Sequence, residues 1–283
     1  MKKQQFILVG AGVVLLCLVY FFGNTVPPKS NTPTMPRAAA QGTETVDIQA
    51  ILAASRQQLT PRQQAFITQL ESGVVRGDVK EQQIKVYQQL AAFWKDSAHL
   101  LLPFGYYSAE AAKLENSQKS LTFAAQFFLE GVRKQENQAL RKWMALQAKE
   151  LFEKALVLSP DNDSLTVGLG SCYLFGGISD QPMEGILKIR QVAEKDPNNM
   201  YAQYMLGLGA MMSGQVDKAI ERLSLVAEKE PEKLEVFFMI AEAYEQKGDK
   251  PNAIKWYQQC RKKVSGNPDI VKEIDQRIKM LQQ

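Results

Sequence analysis

MYAQYMLGLGAMMSGQVDKAIERLSLVAEKEP, residues Met200 to Pro231, is the stretch whose reading decides the fold. It reads as one complete helix, turn, helix unit. Gln203, Leu206, Gly207 and Ala210 recur at helical spacing in the first half, and Ala219 and Leu223 do so in the second. Two antiparallel helices approach closely only where side-chain bulk is missing, and Gly207 and Ala219 supply that gap. Pro231 forbids further helix and turns the chain into whatever follows.

The punctuation repeats on both sides. Upstream, Thr166, Leu169, Gly170 and Tyr173 precede Gly185, Ile189 and Pro197; the prolines lie 37 apart instead of 34, with the extra residues in a loop from Phe175 to Pro182. Further back, Leu121, Ala124, Ala125 and Phe128 precede Ala148, Phe152 and Pro160 in a unit eleven residues too long. Eleven residues make about three helical turns, so both helices can lengthen by one and a half turns and keep their packing faces. Those added turns are expected to stand proud of the stack. Downstream, Phe237, Ile240, Ala241 and Tyr244 precede Ala253 and Tyr257, and the closing proline comes late, at Pro268.

Four units in register resemble the tetratricopeptide repeat, whose pattern is W-x2-L-G-x2-Y, A-x3-F and a closing proline. The unit at Met200 keeps the family's size pattern and lacks its Trp and Tyr. The resemblance covers Gln118 to Pro268 well and Val79 to Ser117 weakly. It implies an all-α, TPR-like right-handed α-solenoid with repeats at 118-160, 163-197, 200-231 and 234-267. Residues 269-283, with Ile270, Ile274, Ile278 and Leu281 on one face, read as a capping helix over the exposed end.

The first residues read differently. Phe6 to Phe22 carries no charge and follows Lys2 and Lys3, the pattern of a positive flank before a membrane-length run. It exceeds the 7 to 15 residues of a signal-peptide core, and Asn24-Thr25-Val26-Pro27 is a poor cleavage site, so an uncleaved transmembrane helix over 6-23 is expected. The charge bias keeps residues 1-5 in the cytoplasm and sends the body across the membrane, into the periplasm if the cell is bacterial. Residues 24-45, with Pro27, Pro28, Pro33 and Pro36 among small polar residues, read as a flexible tether. The chain thus resembles single-pass, membrane-anchored bacterial repeat proteins.

Between tether and repeats, 46-117 reads as a helical region with one degenerate repeat. Thr60 is a candidate N-cap with Pro61 at the first helical position. Tyr87, Leu90, Ala91 and Trp94 fit a first-helix stripe in a helix from Val79 to about Asp96. Its expected partner is a short Ala-rich helix from Ala109 to Leu114, with Pro103-Phe104-Gly105 as a loose joint.

Composition narrows the chemistry. A net charge of +4 without a basic stripe argues against nucleic acid. Cys17, Cys172 and Cys260 have no metal-ligand spacing, and His99 is the sole histidine, so no metal site, no cofactor and no catalytic triad is expected. Cys172 and Cys260 read as buried packing residues. Gly168-Leu169-Gly170 and Gly207-Leu208-Gly209 do not follow strands, so they read as helix-packing positions and not as phosphate loops.

The expected function is therefore protein binding without chemistry. In this family the side of each first helix turned away from its packing stripe lines a concave groove. Here those positions are Tyr201, Tyr204, Leu208 and Met211, then Glu235, Phe238, Glu242 and Glu245, preceded by Ser164, Val167, Ser171 and Leu174. An apolar, aromatic floor with an acidic margin suits a protein or peptide partner carrying Lys or Arg. The packing set is Ala125, Ala148, Gly170, Gly207, Ala219, Ala241 and Ala253. The reading is an anchored scaffold in envelope assembly or protein maturation. The alternatives are a structural homo-oligomeriser pairing through Gln118 to Leu158, and a helical enzyme.

Overall fold

The computed structural model describes residues 46–76, 79–179 and 182–283, all within the compact unit Thr45–Gln283. Among the described residues thirteen α-helices follow one another and no strand occurs. They are α1 (Ile48–Gln57), α2 (Pro61–Arg76), α3 (Lys80–Ala92), α4 (Leu101–Glu115), α5 (Gln118–Lys134), α6 (Gln138–Leu158), α7 (Asp163–Gly176), α8 (Met183–Lys195), α9 (Met200–Met212), α10 (Val216–Lys229), α11 (Leu234–Gln246), α12 (Lys250–Lys263) and α13 (Pro268–Leu281).

Side-chain caps fix where many of these begin. Asn137, Asn162, Asn199, Asp249 and Asn267 each accept a hydrogen bond from the backbone N–H three residues on, opening α6, α7, α9, α12 and α13. Thr60 and Gln63 cap α2 reciprocally: the Thr60 N–H donates to Gln63 Oε1 at 3.0 Å, and the Gln63 N–H donates to Thr60 Oγ1 at 3.4 Å.

The helices pack in pairs, α5 with α6, α7 with α8, α9 with α10 and α11 with α12, and each pair packs on the next through α6–α7, α8–α9 and α10–α11. Helix α13 lies on α12 and buries Ile274, which contributes about 1.5–3 kcal/mol relative to an exposed side chain. One apolar core runs through the stack from Ala109 to Ile274, and a second joins Leu52, Ile67, Leu90, Trp94 and Tyr107 across α1 to α4.

Between α7 and α8 the backbones themselves come close. A Cβ on Gly185 would lie 2.3 Å from the Gly170 carbonyl oxygen, and one on Gly170 would lie 2.8 Å from the Gly185 carbonyl. Two glycines facing each other let backbone touch backbone. Gly207 faces Leu223, whose Cδ2 would stand 2.8 Å from an added Cβ. Ala125, Ala148, Ala219, Ala241 and Ala253 are fully buried.

Several expectations need correction. The span over 6-23, its flank 1-5 and the tether 24-45 lie outside the described residues, and no described helix is long and apolar enough to cross a membrane. The reading of a single-pass, membrane-anchored protein, with an N-terminal transmembrane helix and a body across the membrane, is therefore dropped. What the structure supports is an all-α, TPR-like solenoid of paired helices.

Pro103-Phe104-Gly105 is no joint. Pro103 sits in the first turn of the fifteen-residue helix α4, where its missing N–H has no intrahelical partner to lose. Helix α3 ends in a π-turn at Phe93–Ser97, and His99 enters α4 with φ 56. Nor do the added turns of α5 and α6 stand proud. Val132, Met144 and Ala145 are buried, and a Cβ on Gly176 of α7 would lie 2.2 Å from Ala145 Cβ.

Candidate functional site

The inward positions derived from helical geometry divide into a covered group and a reachable one. Val167 and Ser171 of α7 are fully buried, because the lengthened α5 packs against α7 and α7 packs against α9. Leu174 is partly buried and presses on α9, its Cδ2 2.9 Å from where a Gly209 Cβ would stand. Ser164, at the start of α7, remains exposed.

Tyr204 is the clearest departure. Expected on the groove floor, its side chain is 2% exposed. Arg133, in the last turn of α5, donates from Nη2 to the Tyr204 hydroxyl at 2.9 Å, and its guanidinium carbon lies 5.4 Å from the ring centroid. Lys233, just before α11, places Nζ 4.2 Å from the same centroid and 3.2 Å from Glu230 Oε2. A phenol ring within reach of two cations is a favourable electrostatic arrangement. Burial, against the pull of Arg133, pushes the Tyr204 phenol up to about 12, so it stays protonated. Tyr201 is half-buried and also pushed up to about 12, first by burial.

Leu208, Met211 and Phe238 remain partly exposed, while Glu235 and Glu242 are exposed. Phe238 meets Tyr257 of α12 edge-on at 6.4 Å. Glu245 is engaged: Arg277 of α13 grips it in a fork, Nε to Oε1 at 2.9 Å and Nη2 to Oε2 at 2.6 Å, and the Tyr257 hydroxyl lies 3.4 Å from Oε2. Glu242 stands beside this pair, its carboxyl held above the ordinary range by partial burial and by Glu245, with Arg277 opposing. The reachable face is thus narrower than expected. It runs from Leu208 and Met211 on α9 to Phe238, Glu235 and Glu242 on α11.

Arg133 and Lys233 are the residues that sequence reasoning missed. Arg133 sits at the sixteenth position of α5, past the length of an ordinary first helix, so no repeat position assigns it. Lys233 lies in the connection between units. Only the length anomaly of the first unit hinted that something would reach across.

The described residues offer little to catalysis. They hold no group of three or more His, Cys, Asp or Glu side chains that could hold a metal ion. Cys172 and Cys260 are free and buried. The Cys172 thiol donates to the Gly168 carbonyl at 3.3 Å and burial drives it well above the ordinary thiol range, and burial pushes Cys260 up to about 12. Such thiols are poor nucleophiles. The Gly-Leu-Gly triplets lie inside α7 and α9.

Stacked helix pairs with small residues at their crossings define the class of fold, a TPR-like solenoid. In agreement, a sequence profile described as tetratricopeptide repeat matches residues 204–268, from within α9 to the start of α13. No curated protein matches the chain. Among solved structures, the thermophilic TPR protein TTC0263 of Thermus thermophilus is similar, at 15% identity and a TM-score of 0.50 over 70% of this chain and 98% of that one. PilW, a type IV pilus biogenesis factor, covers 70% of this chain and 92% of its own at 16% identity and a TM-score of 0.47. YrrB, a TPR protein with an unusual peptide-binding site, covers 73% and 97% at 16% identity and a TM-score of 0.43. At such identities likeness speaks to fold alone.

Proposed function

We propose that this chain is a protein-binding scaffold that performs no chemistry and holds a protein or peptide partner against the inward face of α9 and α11. The observation that carries the reading is the row of partly exposed Leu208, Met211 and Phe238 on successive first helices, bordered by exposed Glu235 and Glu242. A partner presenting an apolar anchor flanked by Lys or Arg fits that row. No metal or cofactor enters the proposal.

The test replaces Leu208 and Phe238 together with Glu and compares the proteins that co-purify with wild type, the double variant and an outward control, Glu194→Lys. The reading expects partners held by wild type and the control to be lost from the double variant, with binding weakened by about 30-fold or more. An identical set from all three would reject it.

A second reading, pairing of two copies through α6, is favoured by one observation. Leu146 and Val157 are exposed, the latter at 79%, and three helical turns put them on one face. Solution mass of wild type against Val157→Glu decides it: a dimer that the substitution converts to monomer supports pairing, and a monomeric wild type removes it.

A further inference from the structure

Ahead of the regular repeats, helices α1 to α4 enclose a cleft of about 370 Å³. Its deepest members are the buried Leu52, Leu90 and Tyr107, and the half-buried Tyr87 and Tyr106 line it with them. The three rings are clustered: Tyr87 lies 6.1 Å from Tyr107, and Tyr106 meets Tyr107 edge-on at 5.1 Å. Aromatic faces carry negative charge density and attract cations.

The surrounding charges favour the same kind of guest. Arg56 and Glu71 also line the cleft and satisfy each other, since Glu71 Oε2 accepts from the Arg56 guanidinium while Oε1 accepts from the Tyr107 hydroxyl at 2.7 Å. Beside them, Lys113 bonds Glu110 at 2.9 Å and reaches Glu150 at 3.3 Å. The lining pair of Arg56 and Glu71 is neutral in sum, and just outside it stands the carboxylate of Glu110, partly offset at Tyr106 by Lys113. That carboxylate is felt in the cleft: the Tyr87 and Tyr106 phenols are both pushed up, first by burial and next by Glu110. An anion would meet that field unfavourably. A neutral apolar guest would gain nothing from it.

We propose that this cleft binds an alkylammonium group on the faces of Tyr87, Tyr106 and Tyr107. Two sources supply that chemistry, a free quaternary amine and a lysine side chain on another protein. The site does not depend on the inward face of α9 and α11, so either can fail without the other.

Calorimetric titration of the full chain tests it with three probes: choline, a lysine blocked at both backbone ends, and 3,3-dimethylbutan-1-ol, the uncharged isostere of choline. Saturable binding of a cation is expected, with the neutral isostere weaker by about tenfold. Whichever cation binds the tighter identifies the source. Tyr106→Leu should weaken the cation by about tenfold, whereas Tyr106→Phe, which keeps the ring face, should keep most of the affinity. The proposal is overturned if the isostere binds as well as choline, if neither cation saturates below about 100 mM, or if the Phe variant, with unchanged helicity, loses as much as the Leu variant.

Discussion

A methyl group on Gly185 would have to share space with the Gly170 carbonyl oxygen, and backbone cannot step aside as a side-chain tip can. Gly185→Ala is therefore expected to cost about 3 kcal/mol through separation of α7 and α8, read as a lower urea midpoint with unchanged slope. Ala at Gly214, where nothing stands within 4 Å of the added carbon, should cost less and for a different reason, since its φ of 69 strains any L side chain. Small residues of this sort were legible in the sequence, because a close crossing demands them at a fixed offset from the closing proline. The fate of Tyr204 was not legible. Helical geometry within one unit puts it away from the packing stripe, but Arg133 comes from two units upstream and Lys233 from the following connection, and pattern within a unit carries no information about either. Burial of the two thiols likewise predicts that Cys172 and Cys260 react with a thiol reagent at pH 8 only as fast as the chain unfolds; prompt reaction in the folded protein would contradict it.

Among the elements, the longer α5 and α6 matter most for what the inward face can do. Their period-keeping extension was readable from the spacing of Phe128, Ala148 and Pro160, but whether extra turns meet solvent or another helix depends on what lies opposite them. Here α7 lies opposite and packs against both, and its Val167 and Ser171 are buried. Pro103 misled for a related reason: proline ends a helix from within and is tolerated in its first turn, and the sequence alone did not place the start of α4. At the other end, Arg277 ties α13 to Glu245 on α11. Because Arg277 is about half exposed, Arg277→Ala should lower stability by only about 0.5–1 kcal/mol. The same corner predicts a pH effect. The Glu242 carboxyl binds its proton more tightly in the fold than in the unfolded chain, so its ionisation lowers stability. That penalty is absent below the unfolded pKa and complete above the folded one. Glu242→Gln should therefore stabilise the protein at pH 7, with the gain fading as pH falls through about 4, where the unfolded carboxyl becomes protonated. A gain that grew on acidification would reverse the sign.

At the scale of the whole molecule, a stack of helix pairs holds together by contacts between neighbours, so its faces can change without disturbing its core. That separation is why the α-solenoid was legible from recurring small residues and prolines, while which inward side chains stay reachable was not. It also explains why the cleft among Tyr87, Tyr106 and Tyr107 escaped notice, since its walls come from four helices outside the regular units. The reading of an anchored protein rested on residues 1-45, and the described helices give it no support. The scaffold account rests instead on a reachable strip along α9 and α11. The most direct measurement places a photoreactive side chain, one position at a time, at Leu208 and Phe238 on the inward strip and at Glu194 and Glu221 outside it, in the full chain within its own cells. The account predicts the same discrete adduct from both inward positions and none from the outer two. Adducts of equal yield and size from all four, or from the outer pair alone, would contradict it.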